Sequence, residues 1–195
     1  MGNEYSIPKD KLGHKRITYS SWDENFMLHA VVASARSKDP NSQVGACIVG
    51  ENNRILSLGY NGAPNSWDDD MFPWDREADD YNHTKYPYVI HGEMNALLNY
   101  KGDNKDLVGS TVYVTLFPCS NCAKCLAQAG IKRVVYLSDK YKDTKDNIAA
   151  KICFDNCGIK YEELSKELQR DLLVSLRANV GVVELEEKSK GRKKN

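Results

Sequence analysis

Apolar positions first fall into a regular pattern after Ser21-Trp22-Asp23-Glu24, a stretch with capping-box spacing, where Phe26, Met27, Ala30, Val31 and Ala33 recur at helical intervals. This predicts a helix that runs into Arg36-Ser37-Lys38-Asp39-Pro40-Asn41-Ser42-Gln43 and is stopped by Pro40. Two strand-like runs follow, Val44 to Val49 and Arg54 to Tyr60, with Glu51-Asn52-Asn53 between them as a hairpin turn. Gly59-Tyr60-Asn61-Gly62-Ala63-Pro64 reads either as a turn whose glycine lets backbone approach a neighbour or as a simple loop. Further on, helical runs at Glu93 to Tyr100 and Cys122 to Ala129 alternate with strands at Thr111 to Leu116 and Arg133 to Leu137. Asp143 to Cys157 reads as a helix capped by Gly158, Ile159 to Leu164 as a fifth strand, and Ser165 to Ala178 as a last helix. Strands alternating with helices imply parallel pairing with right-handed crossovers, an α/β class. Ser138-Asp139-Lys140-Tyr141 then falls at the C-terminal end of a strand, where open α/β sheets bind ligands.

At 195 residues the chain is long enough for one domain with its own core, expected over 20–180, with a flexible leader over 1–19 and a charged tail over 181–195. The tail's Lys188, Lys190, Arg192, Lys193 and Lys194 read as a solubilising end, with nuclear targeting as the alternative. The 27 basic and 27 acidic residues cancel, so no global field favours nucleic acid or an anionic membrane. Met1 to Asp10 is polar, and no run has the length of a membrane span, so a soluble cytoplasmic protein is expected. Trp67 to Tyr88 is irregular, aromatic and acidic; Asp68, Asp69, Asp70, Asp75, Glu77, Asp79 and Asp80 would repel a polynucleotide backbone. His29 is read as structural and His83 as a solvated loop residue.

The chemistry concentrates in His91-Gly92-Glu93 and Phe117-Pro118-Cys119-Ser120-Asn121-Cys122. Each segment opens a helical run, so His91 and Cys119 fall at helix starts, where Pro118 is favoured and a thiol's pKa is lowered. Cys119 and Cys122, three apart, can address one ion from a first helical turn. One imidazole and two thiolates suit Zn²⁺ and leave its fourth tetrahedral position open, the arrangement of a catalytic site. Glu93 lies two residues from His91, off the shared face, and is assigned to proton transfer. This H-x-E with a later P-C-x-x-C is the pattern of zinc nucleobase deaminases. Cys125 continues the three-residue spacing but lies too deep to reach the ion. Cys47 is read as a small buried hydrophobe, and Cys153 and Cys157 as buried thiols on one helix face.

With these motifs in view, the chain resembles the deoxycytidylate (dCMP) deaminase family, closest to the kind in animals and some large viruses. The likeness runs through Arg36 to Val49, Gly59-Tyr60-Asn61-Gly62, Thr84 to Val89, the two metal motifs and Ser138-Asp139-Lys140-Tyr141, over roughly residues 20–164. It implies a three-layer α/β/α cytidine deaminase-like fold with a central mixed five-stranded sheet, a homohexamer, and hydrolysis of dCMP to dUMP with release of ammonia, supplying dUMP for thymidylate synthesis. It also implies activation by dCTP with Mg²⁺ and inhibition by dTTP. Carried onto this chain, His91, Cys119 and Cys122 hold zinc and Glu93 shuttles the proton. Asn41 contacts the ribose, Arg36, Lys38 and Lys140 are candidates for the 5′-phosphate, Phe117 packs near the base, and Asn61 and Gly62 match the loop linked with the regulatory nucleotide. One departure is Gly92, where the family usually has Ala, at a helix cost of about 0.5 to 1 kcal/mol. Two other readings stay open: a relaxed deaminase taking dCTP as well as dCMP, and a zinc-stabilised binding module with a closed site and no use for Glu93.

Overall fold

A computed structural model of the chain describes residues 13–14 and 19–164. The helix expected over Ser165 to Ala178, the tail over 181–195 and most of the leader over 1–19 lie outside the described residues.

The first helix, α1 (Trp22–Ser34), opens with both halves of the expected capping box: the Ser21 backbone N–H donates to Glu24 Oε2 at 2.5 Å, and the Glu24 N–H to Ser21 Oγ at 3.3 Å. Two of the four orphan N–H groups at that end are thereby satisfied. The helix ends at Ser34, six positions before Pro40, so Pro40 does not stop it. Instead the chain is drawn away: Ser37 Oγ donates to the Asn61 backbone carbonyl at 2.7 Å, and residues 37–44 wrap around that asparagine.

Next come β1 (Gly45–Gly50) and β2 (Arg54–Tyr60), an antiparallel pair joined by the 3₁₀ turn Glu51–Asn53, in which Asn52 and Asn53 take positive φ. After α2 (Gly92–Asn99), β3 (Thr111–Val114) pairs antiparallel with β1 and parallel with β4 (Arg133–Tyr136). Two more elements, α3 (Ser120–Gln128) and α4 (Lys145–Asn156), precede β4 and β5 (Lys160–Glu163) respectively. The sheet order is β2-β1-β3-β4-β5, so it is mixed, parallel only on the side where strand and helix alternate.

Alternate residues of the central strands feed two cores. Ala46, Ile48, Val112, Val114 and Val134 pack with Ala96 of α2, Ala123 and Leu126 of α3, and Ala150 and Phe154 of α4. Cys47, Val49, Tyr113 and Val135 pack with Phe26, Met27 and Ala30 of α1. Period-two alternation with both faces covered makes the three-layer α/β/α fold expected from the resemblance. Burial raises the Cys47 thiol pKa to about 12, as suits an inert core thiol. Cys153 and Cys157 differ from expectation: Cys157, the C-cap residue just past α4, is exposed, and Cys153 is only half-buried against the edge of the core.

Backbone contact also fixes where α2 lies. A Cβ at Gly59, inside β2, would come 2.2 Å from the Ala96 amide nitrogen, so the strand meets the helix main chain to main chain. Ser57 Oγ donates to the Ala96 carbonyl at 2.7 Å, and Asn95 Nδ2 to the Tyr60 carbonyl at 2.7 Å. The stretch read as an irregular acidic flap holds an aromatic cluster: Phe72 lies 4.4 Å from Trp74 and 5.2 Å from Trp67, whose ring is 5.0 Å from Tyr88. No helix among the described residues is long and apolar enough to cross a membrane.

On the α1 side, Asp23 takes two bonds from Arg133, at 2.8 and 2.7 Å, and one from the Tyr113 hydroxyl at 2.6 Å. The Arg133 guanidinium holds the Asp23 carboxyl below its ordinary 3.8. A carboxyl that titrates lower in the folded state stabilises it above the ordinary value, and the effect is lost as pH falls through the folded value. The stability difference between wild type and Asp23→Asn in urea melts is therefore expected in full at pH 7 and to shrink below about pH 4. A difference that stays constant over that range removes the ion pair from the acid limb.

Candidate active site

Two helix N-termini converge on one point. His91 is the N-cap of α2 and Cys119 the N-cap of α3, both in extended backbone, and neither side chain is used for capping. Both are thus free to turn toward each other. Cys122 is the third residue of α3, and the N-cap and third positions of a helix share a side, the geometry a capping box uses. His91 Nδ1 lies 3.3 Å from Cys119 Sγ and 3.5 Å from Cys122 Sγ.

Those separations fit a metal. Zn–N and Zn–S lengths at a tetrahedral angle place nitrogen and sulfur about 3.6 Å apart. The three ligand atoms lie within 4.8 Å of one another, and among the described residues no fourth His, Cys, Asp or Glu joins them. Cys125, one turn further along α3, stays out of the group, as its spacing predicts.

Electrostatics agree with the donor set. Cys119 is held as a thiolate, its pKa drawn down to about 4 by its hydrogen bond with Cys122 and by His91, while Cys122, as the partner that keeps the proton, is pushed up. His91 is raised to about 9, chiefly by its bond to Cys119. A cation at this point takes the place of those shared protons, since thiolate and neutral imidazole are the ligating forms. Glu93, almost fully buried, is not a ligand but lines the cleft beside the three, and burial lifts its carboxyl to about 6. A carboxyl poised there can both take and give a proton near neutral pH.

The cleft encloses about 360 Å³, within the roughly 300–1,000 Å³ of small-molecule sites. One wall is His91, Gly92, Glu93 and Cys119; another is Leu116, Phe117 and Pro118. Gly92 belongs to the first wall because α2 starts close to β1: a Cβ there would lie 3.1 Å from the Val44 carbonyl oxygen. The Phe117 ring itself turns inward, edge-on to Tyr136, Phe154 and Tyr161, so what it offers the cleft is mainly its backbone. From α4, Asp146 accepts the Ser120 N–H at 3.2 Å and the Ser120 hydroxyl, tying a third helix to the start of α3.

The far end departs from the sequence reading. Arg36, Lys38 and Lys140 are all exposed and are not among the residues that line the cleft; Lys38 pairs with Asp69, and Lys140 reaches Ser42 Oγ at 3.3 Å. Asn41 is exposed too, with Nδ2 3.4 Å from the Trp74 carbonyl. In their place the cleft is lined by Lys85, Arg76, Tyr86 and Tyr141, with Asp39 and Asn61 behind. Asn61 is buried and its carboxamide is fully engaged, accepting from Ser37 and from the Val44 N–H while donating to Asp39 and Ser42. Gly62 opens onto a separate recess of about 190 Å³ that Lys38, Trp67 and Asp69 also line. The sequence signal for Lys85 was slight: one lysine between an acidic run and Tyr86-Pro87-Tyr88.

The donor set makes a direct prediction about metal content. Purified protein is expected to carry one zinc per chain by elemental analysis, Cys122→Ser to lose it, and Cys125→Ser to keep it. Loss in Cys125→Ser would bring a fourth ligand into the site.

Residues 20–138, more than half of the chain, match the family described as "Cytidine and deoxycytidylate deaminase zinc-binding region". Over 149 residues the chain is 50% identical to the deoxycytidylate deaminase of Pongo abelii and 49% identical to that of Homo sapiens, in each case over 76% of this chain and 83% of the relative. Among solved structures, the dCMP deaminase of the cyanophage S-TIM5 in complex with dCMP and dUMP superposes with a TM-score of 0.56 at 27% identity, over 72% of this chain and 95% of that one. By fold, by ligand geometry and by sequence, the chain belongs to the zinc-binding cytidine and deoxycytidylate deaminase family.

Proposed function

We propose that this protein hydrolyses dCMP to dUMP and ammonia. The observation that carries the proposal is Glu93: a buried carboxyl, raised to about 6, facing a cleft of nucleotide size beside a three-ligand metal constellation with no fourth protein ligand among the described residues. A closed structural zinc site would leave that carboxyl without a purpose. Zinc held by His91, Cys119 and Cys122 supplies Lewis acidity that brings the pKa of water toward about 7. Glu93 takes a proton from the attacking water, delivers it to the pyrimidine ring nitrogen, and assists departure of the 4-amino group as ammonia. Leu116 and Pro118 give the base an apolar wall, and the convergent positive ends of α2 and α3 favour the anionic ligands and carboxylate around it.

The finer reading extends the family resemblance drawn from the sequence motifs. In it the enzyme is a cytoplasmic homohexamer that supplies dUMP for thymidylate synthesis, activated by dCTP with Mg²⁺ and inhibited by dTTP. The recess beside Gly62, distinct from the catalytic cleft, supports a separate regulatory site there. Asn41, in the loop that Asp39 and Asn61 organise beside the cleft, keeps its assignment to the ribose.

Ammonia release from dCMP tests the core of the proposal. Glu93→Gln is expected to retain zinc and lose about 10²- to 10⁴-fold in kcat, the usual worth of a positioned proton carrier. Zinc-loaded wild type that releases no ammonia would overturn it. In the same assay dCTP should lower the half-saturating dCMP concentration and dTTP raise it, and sedimentation should give six chains per particle.

A further inference from the structure

A buried lysine needs a reason. Lys85 is almost fully enclosed, and its ammonium is paired with Asp39, itself buried, with Nζ 2.7 Å from Oδ1 and 2.5 Å from Oδ2. Asp39 is saturated: besides Lys85 it accepts from the Asn41 N–H at 2.8 Å, the Ser42 N–H at 3.2 Å and Asn61 Nδ2 at 3.1 Å. The lysine is not. An ammonium has three hydrogens, Asp39 offers two oxygens, and no other partner meets Nζ among the described residues. If the pair existed only to hold the loop, an asparagine or a water would do so without the cost of desolvating two charges.

The spare donor belongs to a residue of the cleft wall. Arg76 lines the same end, with Nε bonded to the Tyr86 hydroxyl at 3.0 Å and both Nη groups without a partner among the described residues. Of the two Lys and Arg side chains lining the cleft, Lys85 is the one held in a buried ion pair. Asp39 locks it in place, and its backbone N–H is anchored on the Asp75 carbonyl at 3.0 Å. The charges also limit what suits the site: with Asp39 neutralising one cation, the pair and Arg76 leave a small net positive charge, suited to a single phosphate group.

We infer that Lys85, held by Asp39 and flanked by Arg76, is the specificity residue that lets this cleft take a nucleoside 5′-monophosphate in preference to the nucleoside. This rests on the dCMP reading above and assigns its phosphate end to residues other than the exposed Arg36, Lys38 and Lys140. Lys85 touches the phosphate and not the reacting atoms. Its effect is therefore on discrimination between substrates.

The test compares kcat/KM for dCMP and deoxycytidine in wild type, Lys85→Gln, Lys85→Arg and Arg76→Gln, with zinc content and thermal unfolding measured on each. Glutamine keeps an N–H for Asp39 while removing the charge. The ratio of the two kcat/KM values is expected to fall on the order of 10- to 100-fold in Lys85→Gln, the range of one charge-assisted hydrogen bond, and to recover in part in Lys85→Arg. Arg76→Gln, an exposed change that does not threaten folding, should lower the ratio in the same direction. Equal losses on both substrates, or an unchanged ratio in folded Lys85→Gln or in Arg76→Gln, overturn the inference. Calorimetric binding of dUMP against deoxyuridine keeps the two proposals apart. Zinc-loaded wild type without turnover sinks the dCMP reaction alone, whereas a wild type that binds both equally, or a Lys85→Gln variant that keeps the preference, sinks the role of Lys85.

Discussion

Two helices that aim their N-termini at one point repel each other unless something negative lies between them. In this protein that something is the Cys119 thiolate and a buried carboxyl. α2 and α3 bring the positive ends of their dipoles together over the C-terminal side of β3, and the Cys119 thiolate and Glu93 occupy the resulting field. The rest of the molecule follows from holding that convergence. β2 meets α2 backbone to backbone at Gly59, Asp146 of α4 ties down the first residue of α3, and the common sheet under all three helices fixes their spacing.

The other half of the cleft is built by polar saturation and not by packing. The side chains of Asp39 and Asn61 together accept or donate eight hydrogen bonds among Ser37, Asn41, Ser42, Val44, Lys85 and each other. A loop that leaves α1 early and re-enters at β1 thereby becomes a wall as fixed as a strand. Buried networks of this kind stabilise only when every member is satisfied, which is why removing one partner costs more than its own bond. The apolar half of the site tolerates small changes of shape; the polar half tolerates few changes of donor and acceptor.

The metal half was legible in the sequence because its information is local. Ligand spacing on a first helical turn, Pro118 before Cys119 and the two-residue offset of Glu93 need no knowledge of distant contacts. The strands and their two-faced burial were legible for the same reason, as was the capping box at Ser21. What could not be read was pairing across long separations. Lys85 meets Asp39 across 46 positions, and nothing in either segment distinguishes that lysine from the exposed Lys38 or Lys140. The end of α1 was assigned to Pro40 because the true cause, Asn61, lies 24 residues beyond Ser37. The exposed Cys157 was misplaced because the helix stops one residue before it and leaves it as the C-cap.

The aromatic cluster of residues 67–88 has an optical consequence. Trp67 and Trp74 belong to the segment that carries Arg76 and Lys85, and the Trp74 indole N–H is bonded to the Asp69 carbonyl at 2.8 Å. The third tryptophan, Trp22, is stacked on Phe26 in α1, in the layer on the opposite face of the sheet. Two of the three indoles thus sit in the segment that carries Arg76 and Lys85, Trp67 lining the recess beside Gly62, and one stands apart, so the chain carries a fluorescent reporter and its internal reference without any label.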